Sequence, residues 1–165
     1  MSQAVLLMGV SGAGKSTIGP RLAAALGVEY ADADAFHPAA NIAKMSSGQP
    51  LTDEDRWPWL DAIGAWLAAR GAAGGVVACS ALKRAYRDRL RQACPGLRLV
   101  HLAGDPALIS ARQAARQGHF MPPGLMASQF AALEAPGEAE GAITLAVDAA
   151  PEAVVERALL QLRQG

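Results

Sequence analysis

Residues 4–26, AVLLMGVSGAGKSTIGPRLAAAL, decide the fold. Five apolar residues run into Gly9-Val10-Ser11-Gly12-Ala13-Gly14-Lys15-Ser16, a complete G-x-x-x-x-G-K-S pattern, and an alanine-rich helical stretch follows. Strand, loop and helix in that order are the context in which this pattern cradles phosphate. Its glycines let successive backbone N–H groups converge on phosphate oxygens, and the helix N-terminus adds the positive end of its dipole. Lys15 is placed for the outer phosphates, the Ser16 hydroxyl for Mg²⁺, and Thr17 for an innermost phosphate. An incidental glycine-rich turn followed by Lys-Ser is the competing reading, and the flanking strand and helix argue against it.

Outward from the loop, short apolar runs alternate with longer helical patterns, which signals an α/β protein with a parallel sheet and crossover helices. Strands are expected over 4–8, 28–31, 75–79, 97–102 and 143–147, and helices over 15–26, about 41–70, 83–93, 106–117, 124–133 and 152–163. Near-continuous hydrophobicity suits strands covered on both faces. Gly27 stands where a left-handed helix end is wanted, and Asp105-Pro106 reads as a helix start. Pro20 conflicts with the first helix, where a tolerated kink is expected.

The 165 residues make one domain, 1–165, with 52% hydrophobic residues, too many for a disordered chain. Fifteen Lys and Arg balance fifteen Asp and Glu, so no overall electrostatic footprint for nucleic acid exists. No apolar run approaches the ~20 residues that span a bilayer. The first residues lack the basic lead-in of a signal peptide. Cys79 and Cys94 have neither metal nor disulfide-framework spacing, and Cys79 reads as a small buried residue. A cytoplasmic protein without nucleic-acid or membrane partners is expected.

The loop alone leaves the reaction open. A guanine-specifying Asn-Lys-x-Asp and the signature helix of ABC-type ATPases are both absent, which favours a small-molecule kinase. The second strand ends in Asp32-Ala33-Asp34, where strand alternation would aim both carboxylates one way. Asp32 is assigned to metal support and Asp34 to the acceptor hydroxyl, since phosphoryl transfer asks mainly for alignment and charge neutralisation. Two acids merely ending a strand and capping a turn are the alternative.

Residues 32–60, DADAFHPAANIAKMSSGQPLTDEDRWPWL, resemble the hallmark of the bacterial gluconokinases of the phosphate-loop type. Three further blocks follow in order: CSALKRAYRDRLR (79–91), RQGHFM (116–121) and SQFAALEAP (128–136). The resemblance implies ATP-dependent phosphorylation of D-gluconate at its 6-hydroxyl, with ATP and Mg²⁺ as cofactors. It also implies a P-loop nucleoside-kinase-like three-layer sandwich, strand order 2-3-1-4-5, and a homodimer. Ala33 stands where the family commonly has glycine, and Gln117 where many members carry lysine. A shikimate kinase, or an ATP-binding regulatory protein without an acceptor, are the rival readings.

The segment about 37–72 is read as a helical substrate-binding insertion and about 116–125 as a lid. A sugar acid presents one carboxylate and many hydroxyls. Arg56 offers a planar fork for the carboxylate, with His37, Asn41 and Lys44 as donors around it. Arg56 could instead pair with Asp53 or Asp55 on its helix, His37 could brace a turn, and Lys44 could be solvated. Trp57, Trp59 and Trp66 read as packing residues. Ser80 and Lys83 end the third strand, facing substrate or stabilising the next helix. Arg84, Arg87, Asp88, Arg89 and Arg91 read as a solvated helix face with internal ion pairs. Arg112 and Arg116, four apart, would neutralise the transferring phosphoryl group as the lid closes. Arg116 is the principal candidate. His119 and Phe120 fix the closed lid, with His119 counted among the substrate-binding residues, and Gly118 and Gly124 serve as hinges.

Overall fold

The computed structural model describes residues 4–10, 13–104, 131–136 and 140–164. Ser11, Gly12, the helix expected over 106–117, most of that over 124–133, and the lid with Arg112, Arg116, Gly118, His119, Phe120 and Gly124 lie outside the described residues.

Strands β1 (Ala4–Met8), β2 (Glu29–Asp32), β3 (Gly75–Ala78), β4 (Arg98–Ala103) and β5 (Ile143–Ala146) form one parallel sheet of order β2-β3-β1-β4-β5. Helices α1 (Lys15–Leu26), α2 (Ala39–Ser46), α3 (Asp53–Arg70), α4 (Arg84–Ala93) and α5 (Pro151–Gln164) accompany it. Alternation divides the core in two. Val5, Leu7, Val76, Val100 and Leu102 pack under α1 and α5, whereas Leu6, Met8, Val77, Cys79 and Leu99 pack under α3 and α4. Both faces are buried, as the apolar runs foretell. Each fully buried aliphatic side chain here contributes roughly 1.5–3 kcal/mol through burial.

α1 runs unbroken through Pro20 and ends at Gly27, whose φ of 71° lets its N–H reach Ala23 and Ala24 carbonyls. The helical region expected over about 41–70 divides into α2 and α3. Between them the chain turns at Gly48 (φ 82°) and passes Pro50, and a capping box then starts α3. In it Asp55 N–H donates to Thr52 Oγ1 (3.2 Å) and Thr52 N–H donates to Asp55 Oδ2 (2.9 Å). Asp53, Glu54 and Asp55 in the first turn suit the positive helix end.

Register fixes the site's position. Ala78 stands level with both Leu7 of β1 and Asp32 of β2. Because all strands are parallel, the segments leaving β1, β2 and β3 emerge on the same edge. Among the described residues, no helix is long and apolar enough to cross a membrane.

Candidate active site

The segment after β1 curls back, with Ala13 N–H donating to the Val10 carbonyl (3.1 Å). Gly14 precedes α1 at φ 103°, ψ 14°, a left-handed conformation that a side chain would resist. The Gly14 carbonyl accepts from Thr17 (3.1 Å) and Ile18 (2.8 Å) to begin α1. Lys15 reaches back over the loop, its Nζ donating to the carbonyls of Gly9 (2.6 Å) and Val10 (3.0 Å). Ser16 sits one residue further along the same turn.

At the end of β2, strand alternation does not continue to Asp34. The chain enters a 3-10 turn, Ala33–Phe36, and Asp32 caps it by accepting Asp34 N–H at Oδ1 (2.9 Å). The two carboxylates are thus related by a turn, because a short polar side chain competes well for a nearby backbone N–H. Trp59 of α3 donates its indole N–H to the Ala33 carbonyl (2.7 Å), so α3 holds the turn from beneath. Trp59 is 6% exposed, and Trp57 and Trp66 pack against the same core.

His37 stacks flat on Trp59, ring centroids 4.3 Å apart at 11°. Asn41, 3% exposed, donates Nδ2 to the Asp55 carbonyl (2.9 Å) and lies 3.2 Å from His37 Nδ1. A carbonyl only accepts, so this Asn41 atom is the amide nitrogen, and His37 Nδ1 must accept from it. The neutral ring therefore carries its hydrogen on Nε2. Burial lowers the His37 pKa below 6.5; Asp34 opposes this and Arg56 adds to it. Asn41 is spent within the protein rather than offered to a ligand.

Arg56 and Lys83 come together although 27 residues apart in sequence. Arg56 Nη1 donates to the Leu51 carbonyl (2.9 Å) and to Tyr86 Oη (3.1 Å). Tyr86 Oη donates to Asp53 Oδ1 (2.5 Å), which Lys83 Nζ also approaches (3.4 Å). The Arg56–Asp53 ion pair, at 3.7 Å, realises one of the two helix-surface pairings open in the sequence. The Tyr86 hydrogen bond, then the neighbouring cations, hold the Asp53 carboxyl below its usual range. Lys44 is bound by Asp55 (2.7 Å), whose pKa is lowered to about 2 by this bond and then by the Thr52 hydrogen bonds. Lys83 occupies the residue before α4, but its side chain reaches α3.

α4 is not simply a solvated face. Arg84–Asp88 and Arg91–Asp88 are the expected internal pairs, and Arg89 grips Asp61 of α3. Arg87, however, is 1% exposed and forms a two-pronged pair with Glu140 (2.8 and 2.9 Å). It also donates to the carbonyls of Ala81 (2.8 Å), Leu82 (3.2 Å) and Glu134 (2.8 Å). Ala81 is the one non-glycine residue with positive φ (43°) among those described, directly after Ser80. Cys79 is buried, which pushes its thiol up to about 12. Sequence reasoning missed Asp53, Tyr86, Arg87 and Glu140 as site-shaping residues. Only the i,i+3 spacings of Asp53–Arg56 and Lys83–Tyr86 hinted at the first two.

A parallel sheet of this order, with a phosphate loop after β1 and an acid turn after β2, defines a phosphate-loop kinase-like protein. The AAA domain family model matches residues 5–136. Gluconokinase of Gluconobacter oxydans is 45% identical over 92% of this chain and 86% of its own length. Thermoresistant gluconokinase of Escherichia coli is 40% identical over 97% and 93%. The crystal structure of a gluconokinase from Sinorhizobium meliloti superposes with a TM-score of 0.89 at 46% identity, over 98% of this chain and 92% of that one. The chain belongs to the gluconokinase family.

Proposed function

We propose that this protein transfers the terminal phosphoryl group of ATP to the 6-hydroxyl of D-gluconate, releasing 6-phospho-D-gluconate and ADP. The observation that supports this reading is a phosphate loop and an acid turn on one sheet edge, with Arg56 and Lys83 gathered about Asp53, in a chain of this family. The loop, Gly9 to Thr17, takes the triphosphate. Lys15 exchanges the carbonyls of Gly9 and Val10 for phosphate oxygens, which a flexible ammonium with three donors does readily.

Asp34 orients the acceptor hydroxyl and takes its proton as the O–P bond forms. The Nε2–H of His37 is available to a substrate hydroxyl, and Arg56 and Lys83 answer the carboxylate, with Lys44 beside them on the insertion. Residues 37–72 serve as the acceptor-binding insertion. Residues 116–125 serve as the lid, from which Arg116, then Arg112, neutralise charge on the moving phosphoryl group and His119 closes over substrate.

Mg²⁺ suits the donor set. No cluster of three or more His, Cys, Asp or Glu able to hold a metal exists among the described residues, and Mg²⁺ needs few protein ligands when phosphates and water complete its shell. Ser16, and Asp32 through water, would hold it. Bound there, it neutralises charge on the outer phosphates. The test is ADP release with gluconate, shikimate, adenylyl sulfate and nucleoside monophosphates offered separately. Turnover confined to gluconate is expected, and turnover of another acceptor with none of gluconate overturns the assignment.

A further inference from the structure

The proposed acid-binding end of the acceptor site contains a carboxylate of its own. Asp53 Oδ1 accepts from Tyr86 Oη at 2.5 Å and stands 3.4 Å from Lys83 Nζ and 3.7 Å from Arg56 Nη1. Its side chain is 42% exposed, and those of Arg56 and Lys83 are 29% and 37% exposed, so the group opens to solvent. Arg56 spends Nη1 on Leu51 and Tyr86. Among the described residues its Nε and Nη2 have no hydrogen-bond partner, which leaves one edge of the fork to a ligand.

Charge accounting follows. Among the described residues of this cluster, two cations face one carboxylate, which leaves one net positive charge. Lys44 and Asp55 cancel each other nearby. His37, with Nδ1 accepting from Asn41, adds none. Asp34, on the acid turn, is the residue assigned to the acceptor hydroxyl and is not counted in this cluster.

We propose that Asp53 is a specificity-determining residue: it holds the acid-binding end at a single net positive charge, so that a monoanionic carboxylate head group is accepted and a dianionic phosphate head group is refused. The inference rests on gluconate being the acceptor. Tyr86 is its positioning partner, fixing Asp53 between the two cations. A phosphate monoester carries nearly two negative charges near neutral pH, and one of them would meet the Asp53 carboxylate unanswered.

The test uses the full chain at about pH 7.5, where a phosphate monoester is mostly dianionic. D-Glucitol 1-phosphate retains the acyclic D-gluco polyol and the free 6-hydroxyl but carries phosphate at the end where gluconate has its carboxylate. Its competitive inhibition constant is compared with the gluconate KM in the unmodified protein, Asp53→Asn and Tyr86→Phe. Asp53→Asn is expected to tighten the phosphate compound on the order of tenfold or more relative to gluconate, since one repulsive charge within a few ångströms is removed. Tyr86→Phe keeps the charge count, so both constants should move together and their ratio should hold. Melting temperatures confirm that each variant is folded. An unmoved ratio in Asp53→Asn, or an equal change in Tyr86→Phe, overturns the inference while leaving the gluconate reading intact. Absence of gluconate turnover in the unmodified protein overturns both.

Discussion

Arg87 of α4 and Glu140, just before β5, meet in a two-pronged ion pair whose side chains are 1% and 3% exposed. The same guanidinium binds the Ala81 and Leu82 carbonyls, so the segment leaving β3 is tied to the approach to β5. Removing one partner strands the other charge in the interior. Glu140→Ala is expected to cost roughly 3–5 kcal/mol, read as a loss of several degrees in melting temperature. Arg87→Lys should recover only part of the loss in Arg87→Ala, because an ammonium lacks the fork.

The same pair sets an acid limb of stability. Hydrogen bonds from Arg87, then Arg91, lower the Glu140 pKa from 4.5 to about 2. A depressed carboxyl contributes stability that is complete above the unfolded value and disappears as pH falls through the folded one. Denaturation midpoints measured from pH 6 down to about 2 should therefore fall less steeply in Glu140→Gln, starting from a lower plateau.

Loop and acid turn should separate by kinetics. Lys15→Ala is expected to impair nucleotide binding and to lower kcat roughly 10²–10³-fold, as loss of a charge-stabilising donor does. Asp34→Asn should lower kcat roughly 10²–10⁴-fold with little change in ATP affinity. Equal loss of ATP binding in both variants, measured by calorimetry, would refute the division.

His37 gives a pH signature. Its folded pKa lies below 6.5, mainly from burial, while Asp34 favours and Arg56 disfavours its charged form. Protonating Nδ1 would set a donor against the Asn41 amide, so gluconate KM should rise as pH falls through this lowered pKa. His37→Gln should weaken binding at neutral pH and reduce that dependence. An identical KM profile in the variant would count against this role.

Trp59 links the core to the Ala33 turn and to His37. Trp59→Phe keeps a ring for His37 but orphans the Ala33 carbonyl, a cost of about 1–3 kcal/mol. A rise in gluconate KM at unchanged ATP KM is the accompanying expectation.

The loop, the strands and most helices were legible because each depends on neighbours in sequence: apolar runs, a glycine-rich pattern, Gly27 at a helix end. The family blocks drew attention to the acid turn. Long-range pairings were not legible. Nothing in the spacing of Arg87 and Glu140, 53 residues apart, marks them as partners. The run of basic residues on α4 looked solvated because charge is ordinarily exposed, and tertiary burial overrode that prior. Asp32–Asp34 misled for a different reason: side-chain capping ended the strand at Asp32, so period-two alternation stopped before it reached Asp34.

Ala78 stands level with Leu7 on one side and Asp32 on the other. This alignment makes the sheet a jig. Sliding any one rod by a single step would exchange its two faces and unseat every tool mounted on its tip. Evolution can therefore rewrite the tips freely, provided the rods never shift.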